Sequence, residues 1–220
     1  LVKIIPSFIM KSKADAVSQA KTDFLSRMSH EIRTPMNAIS GMTIIAKSVL
    51  DDREKALDCL EKIESANTYL LGLINDILDM SRIESGKMEL SYESIDLEQQ
   101  LSNLESLFRA QAEEKHLELT FENDYRKRRL LRADSLRLNQ ILVNIIGNAI
   151  KFTELGSVAV RVKVLEEEPR ALIRFSVTDT GIGIEPAAMR RIFNAFEQAA
   201  ALTASRHGGT GLGLSISSRL

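Results

Sequence analysis

The stretch "FLSRMSHEIRTPMNAISGMTIIAKSVL", Phe24 to Leu50, carries apolar side chains at Phe24, Met28, Ile32, Met36, Ile39, Ala46 and Leu50, with Thr43 completing the spacing of threes and fours. That is one stripe of a helix, beginning near Thr22. After the polar connection "DDRE", Leu57, Leu60, Ile63, Leu70, Ile74 and Ile77 repeat the pattern from about Arg53 to Ile83. Two helices joined so tightly form an antiparallel hairpin. Its apolar seam is too narrow to be stable alone, so the expectation is a dimeric four-helix bundle built from two hairpins.

Beyond "SRIESGK" the period changes. A helix from roughly Leu97 to Lys115 leads into the strand-like "LELTFEN", then "RRLLRAD", then a further helix through "SLRLNQILVNIIGNAIKF". Two alternating runs, "SVAVRVKVL" and "ALIRFSVTD", flank the charged turn "EEEPR" and read as a β-hairpin with one buried face. The second half is therefore a mixed α/β unit.

Composition sets the outer limits. The 220 residues are 44% hydrophobic and 27% charged, enough for one large core or two small ones and too apolar for disorder. A net charge of -1 gives no bulk attraction to nucleic acid or to an anionic membrane, so neither is expected as a partner. The single cysteine, Cys59, cannot close an internal disulfide and fits a reducing, cytoplasmic setting. The opening "LVKIIPSFIM" is too short for a membrane span, is interrupted by Lys3 and Pro6, and lacks an initiator methionine and a signal-cleavage pattern. It reads as the tail of something upstream, and the chain as a piece of a longer protein.

Four clusters carry chemistry. With Met28 and Ile32 on the packed stripe, His30 points outward, at about 100° per residue round the helix. Arg27, Arg33 and Thr34 surround it, so an arriving phosphate would meet positive charge and a hydroxyl. Glu31 can take a proton from one ring nitrogen and leave the other nucleophilic. An ordinary solvated face fits the same residues, and Pro35 fits a simple kink that leaves the Glu31 carbonyl without its amide partner. In "NIIGNAIKF", Asn144, Asn148 and Lys151 share one helical face, and two amides with an ammonium suit Mg²⁺ and a polyphosphate. A plain polar face is the alternative. In "DTGIGI", Asp179 can accept a hydrogen bond from an exocyclic amine while Gly181 and Gly183 permit close backbone approach, although Asp-Thr-Gly is as often a turn. "GGTGLGLS" runs into a helix whose first amides can hold phosphate oxygens. It is neither a P-loop nor a dinucleotide fingerprint.

Together and in this order, these motifs resemble the bacterial-type sensor histidine kinases from about Lys21 to the end. "FLSRMSHEIRTPMNAISG" is similar to that family's H box, "QILVNIIGNAIKF" to its N box, "DTGIGI" and "GGTGLGLS" to its glycine boxes and "IFNAFEQ" to its F box. The resemblance implies a dimerisation and phosphotransfer hairpin over 21–86 after an upstream tail at 1–20. A linker over 87–96 and a two-layer α/β sandwich that binds ATP over 97–220 follow, the latter incomplete at its C-terminus. It implies His30 as phosphoacceptor, Glu31 as its acid or base partner and Thr34 as the position that holds a water for dephosphorylation, with Pro35 marking a bend for access. It implies Asn144 as a Mg²⁺ ligand, Asn148 and Lys151 at the nucleotide phosphates, and Asp179, Gly181 and Gly183 at the adenine. Gly209, Thr210, Gly211, Leu212 and Gly213 would cradle phosphates, and 198–208 would form a lid. Phe193 and Phe196 match the F box, but Asn194-Ala195 stands where the family usually has a proline before the second phenylalanine.

The activity so implied is transfer of the ATP γ-phosphoryl group to an imidazole nitrogen, then to an aspartate of a response-regulator receiver domain, in trans or on the same longer chain. The chain would be the cytoplasmic part of a longer, membrane-anchored sensor, with response-regulator phosphatase activity a second expectation. An ATPase of the same nucleotide-binding superfamily and a non-catalytic signalling scaffold are the other two classes open to these residues.

Overall fold

A computed structural model describes residues 26, 28–124, 131–166, 171–189, 191–193 and 211–220. The chain divides into two compact units, one ending at Leu78 and one running from Asp79 to Leu220.

The first unit holds the hairpin. Helix α1 spans 28–48 and runs unbroken through Pro35, which is itself buried. Helix α2 spans Arg53–Glu84 and begins at Asp52, whose carboxylate accepts the Lys55 amide at 3.2 Å. The expected α1 stripe holds in part, since Met28 is buried and Ile32, Ile39, Thr43 and Ala46 are half-buried, while Met36 and Leu50 are exposed. On α2 the expected stripe holds at Ile63, Leu70 and Ile77 and fails at Leu57, Leu60 and Ile74. Cys59, Ile63, Ala66, Leu70, Leu73 and Ile77 form the sheltered face, and Leu57, Leu60 and Ile74 are exposed at 48%, 55% and 40%. Cys59, Ala66 and Leu73 take the sheltered positions expected for Leu57, Leu60 and Ile74.

The second unit begins with the end of α2, which stops at Gly86 with φ 65°. The Gly86 and Lys87 amides turn back to the Ile83 and Arg82 carbonyls, a Schellman cap that needs a left-handed residue. Strand β1 (Glu93–Ile95) pairs antiparallel with β3 (Leu131–Ala133) in a small sheet that no periodicity announced. Helix α3 (Leu97–Glu114) starts on Asp96, and α4 (Ser135–Phe152) starts on Asp134, each carboxylate accepting the amide three residues on.

The main sheet has the order β2–β4–β5, with β2 (Glu118–Asn123) parallel to β4 (Ser157–Glu166) and β4 antiparallel to β5 (Leu172–Asp179). Val158, Val160 and Val162 alternate inward on β4, and Val158 and Val160 meet Leu142, Ile146 and Ile150 of α4 and Leu104, Phe108 and Ala112 of α3. Ile146, Val158 and Val160 have no exposed surface, and burying each such side chain is worth about 1.5–3 kcal/mol. Two helices over one sheet face are the expected two-layer sandwich, and this packing fixes the polar face of α4. A short helix α5 (Gly213–Ser217) closes on α4.

Candidate functional site

In the first unit His30 is exposed on α1, as its offset from Met28 and Ile32 requires. Thr34 Oγ1 donates to the His30 carbonyl at 3.1 Å, so the hydroxyl proton is engaged one turn along and the oxygen lone pairs stay outward. Glu31 is half-buried, and its charge reaches Tyr69 of α2. Burial first, then the negative charges of Glu31 and Asp76, push the Tyr69 phenol above its ordinary value. Tyr69 is a neighbour of the His30 segment that sequence reasoning missed. A cavity of about 570 Å³ opens on the same segment, lined by Met28, Ile32, Arg33, Met36, Asn37 and Ile77. Arg27 lies outside the described residues.

In the second unit α4 is the common wall of the other candidate residues. Asn144, Asn148 and Lys151 are half-buried along one side of it. Asn148 Nδ2 donates to Asn144 Oδ1 at 3.3 Å, and Asn144 Nδ2 donates to Ser217 Oγ of α5 at 2.9 Å. Ser217 thus orients the Asn144 amide, a role with no signature in the sequence. Gly213 lies so close that a Cβ there would stand 2.2 Å from Asn144 Oδ1 and 2.7 Å from its Cγ. Only glycine lets α5 approach this amide.

At the far end of α4, Lys151 Nζ sits 5.2 Å from the centre of the Phe152 ring. Burial, and secondarily the like charge of Lys115, hold the Lys151 ammonium below the usual lysine range. Asp179 closes β5 and is exposed, and its Oδ1 accepts the Gly181 amide at 3.0 Å, which fixes the plane of the carboxylate. A Cβ on Gly181 would meet the Phe152 carbonyl oxygen at 2.4 Å, so the loop after β5 lies directly against the end of α4. The Ile182 amide completes that junction by donating to the Phe152 carbonyl at 3.2 Å. Thr180 Oγ1, also missed from the sequence, accepts the Ser157 amide at 3.0 Å and ties the loop to β4.

Gly183 is exposed beyond this loop, Gly211 is half-buried and Leu212 is fully buried at the start of α5. Phe193 is 49% exposed. Gly209, Thr210, Phe196, the Asn194-Ala195 departure and the expected lid lie outside the described residues. Asn144, Asn148, Lys151, Asp179, Gly181 and Gly213 therefore share one region along α4, with an amide pair and a glycine cradle at one end and an ammonium, a carboxylate and a second cradle at the other. Such a surface can take a polyphosphate with a purine amine.

A divalent cation fits the amide end. Among the described residues no cluster of three His, Cys, Asp or Glu side chains could cage a metal. An amide oxygen beside a glycine cradle suits Mg²⁺, which keeps most of its waters and shares substrate phosphates.

Comparison with known proteins finds two family matches along the chain. Residues 20–86 match the His Kinase A (phospho-acceptor) domain, and residues 133–220 match the histidine kinase-, DNA gyrase B-, and HSP90-like ATPase family. The chain belongs to the sensor histidine kinases, with a phosphoacceptor domain followed by a domain of the histidine kinase-, DNA gyrase B-, and HSP90-like ATPase family. It is 44% identical over 215 residues to the sensor histidine kinase GacS of Pseudomonas protegens, covering 96% of this chain and 23% of that protein. It is 36% identical over 207 residues to the autoinducer 2 sensor kinase/phosphatase LuxQ of Vibrio cholerae, covering 94% of this chain and 24% of that protein. Among solved structures, full-length ShkA shares 37% identity with a TM-score of 0.63 over 89% of this chain and 39% of that one. The chain thus spans about a quarter of the length of these curated relatives. Among the described residues no helix is long and apolar enough to cross a membrane.

Proposed function

We propose that this chain transfers the γ-phosphoryl group of ATP to His30 and from there to an aspartate on a receiver domain. The observation that carries the reading is the convergence on α4 of Asn144, Asn148, Lys151, Asp179 and Gly181, in a chain whose other unit bears an exposed histidine beside a carboxylate. Lys151 and Asn148 hold the phosphates, and Asp179 accepts the adenine amine above Gly181 and Gly183. Gly209, Thr210, Gly211, Leu212 and Gly213 supply backbone amides to the phosphates. Asn144 Oδ1 holds Mg²⁺, which when bound neutralises phosphate charge.

At the acceptor, Glu31 takes the proton from one imidazole nitrogen while the other attacks the γ-phosphorus, whose bond to the bridging oxygen breaks as ADP leaves. Charge neutralisation and positioning supply most of the rate. Thr34, with its hydroxyl proton on the His30 carbonyl, offers lone pairs to a water in the phosphatase reaction, in which that water releases phosphate from the receiver aspartate. The domains proposed are 21–86 for dimerisation and phosphotransfer and 97–220 for ATP, joined by 87–96. Exposed Ile44, Leu50, Leu57, Leu60, Leu71 and Leu78 on the hairpin support a homodimer, since an isolated hairpin would leave them in water. The receiver domain is the proposed partner, in keeping with the kinase–response regulator complex solved for ThkA. The segment is proposed to work in the cytoplasm.

Incubation with γ-labelled ATP and Mg²⁺ tests the reading. Acid-labile, base-stable label on the protein is expected. Free phosphate without labelled protein would make the chain an ATPase, and neither product would make it a scaffold.

A further inference from the structure

Lys115 lies 36 residues before Lys151 in the sequence, at the end of a different helix. Helix α3 ends in a Schellman cap, in which His116 adopts φ 56° and donates its amide to the Glu113 carbonyl while Leu117 donates to Ala112. Leu117 and Ala112 both join the core, so the turn is pinned. From this fixed point the Lys115 ammonium reaches the end of α4. It donates to the carbonyls of Ile150 at 2.9 Å, Lys151 at 3.0 Å and Thr153 at 3.4 Å.

The last carbonyls of a helix have no intrahelical donor and carry its negative dipole end. Here the neighbours of those three are also satisfied, Ala149 by Thr153 Oγ1 at 2.7 Å and Phe152 by the Ile182 amide. Lys115 thus reaches three of the five carbonyls along 149–153. The segment it clamps bears Lys151 on one side and, on the other, the Phe152 carbonyl on which Gly181 rests. Lys151 and the contact with Gly181, both at this end of the nucleotide site, are carried by the segment that the Lys115 ammonium clamps.

We propose that Lys115 is a positioning residue for nucleotide binding: it fixes the last turn of α4 so that Lys151 meets the phosphates and the Asp179–Gly181 loop meets the base. Its ammonium is spent on backbone carbonyls and acts on the ligand only through the turn it holds. The inference rests on the ATP site proposed above.

Titration calorimetry with Mg²⁺ and a non-hydrolysable ATP analogue, well below the melting temperature, tests it on four proteins: the parent, Lys115→Met, Lys151→Met and the double variant. Lys115→Met should raise Kd about tenfold, the effect of one or two lost hydrogen bonds to a charged group. The double variant should bind no more than about threefold worse than Lys151→Met, because about half of the Lys115 effect runs through Lys151 and the rest through the Asp179–Gly181 loop. If Lys115→Met does not fold, Lys115→Gln, whose shorter amide cannot span the three carbonyls, must show the raised Kd instead. A lowered melting temperature with parental Kd in the folded variant would overturn the proposal, as would fully multiplicative losses in the double variant. A parent that binds no nucleotide, or a Lys151→Met protein that binds as the parent does, would overturn the site reading and this inference with it. Parental Kd for Lys115→Met beside a weakened Lys151→Met overturns this inference alone.

Discussion

Gly213→Ala puts one methyl group against the amide proposed to hold Mg²⁺. The new Cβ would stand 2.2 Å from Asn144 Oδ1, 2.7 Å from Cγ and 3.0 Å from Nδ2. Because all three amide atoms lie within contact, turning the amide about its own axis gives no relief. Asn144 must change χ1, or α5 must retreat. Holding a side chain about 30° off its rotamer costs about 1 kcal/mol, and losing the Asn144–Ser217 hydrogen bond costs about 1 kcal/mol more. Alanine opposes this with up to about 1 kcal/mol of helix propensity, although at the first residue of α5 less is realised. The site should therefore lose about 2 kcal/mol of preorganisation, near 30-fold in affinity for Mg²⁺ with an ATP analogue. Titration of the parent and the variant measures it, and urea unfolding should show a change of no more than about 1 kcal/mol. Affinity within threefold of the parent would refute the argument that Asn144 must stand where Gly213 lets it stand.

Asp79→Leu should destabilise the second unit by about 3 kcal/mol in urea, because it strands the Arg137 guanidinium, now 2.6 Å from Asp79 Oδ2 with only 14% of its side chain exposed. Adding Arg137→Met should recover most of that loss, and an additive double variant would contradict the pairing. His116→Gly should stabilise the protein by about 1 kcal/mol, since the same cap at the end of α2 uses glycine; a lower urea midpoint would show that His116 has a further role. Asp134 is pushed up by burial but pulled further down by the Arg137 and Ser91 amides and the Arg137 charge, so its folded pKa lies below the unfolded value. Its contribution is present above about pH 4 and lost as pH falls through the folded pKa. The stability gap between the parent and Asp134→Asn should accordingly close on acidification from pH 6 to pH 3, and a constant gap would count against it.

The helices were legible because their periodicity is long. The stretch "SLRLNQILVNIIGNAIKF" spans the same residues as α4, and the two alternating runs became β4 and β5 within a residue at each end. Strand β1 was hidden, since three residues show no period and its partner β3 lies 38 residues on in register. The α2 face was read in part: Ile63, Leu70 and Ile77 lie on it, but Leu57, Leu60 and Ile74 compete with Cys59, Ala66 and Leu73 at the same spacing, and only tertiary packing chooses between them. Motif residues such as Asn144, Asp179 and Gly181 could be named because each box keeps its parts together in the chain. Lys115, Ser217 and the Asp79–Arg137–Gln140 network could not, since each works across 35 or more residues on side chains that read locally as solvated polar positions.

The central claim concerns one atom, an imidazole nitrogen of His30. The direct measurement is mass spectrometry of the phosphoprotein formed from ATP and Mg²⁺ under neutral to basic conditions, which preserve phosphohistidine, run beside the His30→Gln variant. The account predicts a single phosphoryl group on the peptide containing His30, with no label on His30→Gln although that variant binds nucleotide as tightly as the parent. Persistent phosphorylation of His30→Gln, or a phosphoryl group mapped to His116 or His207 in the parent, would contradict it.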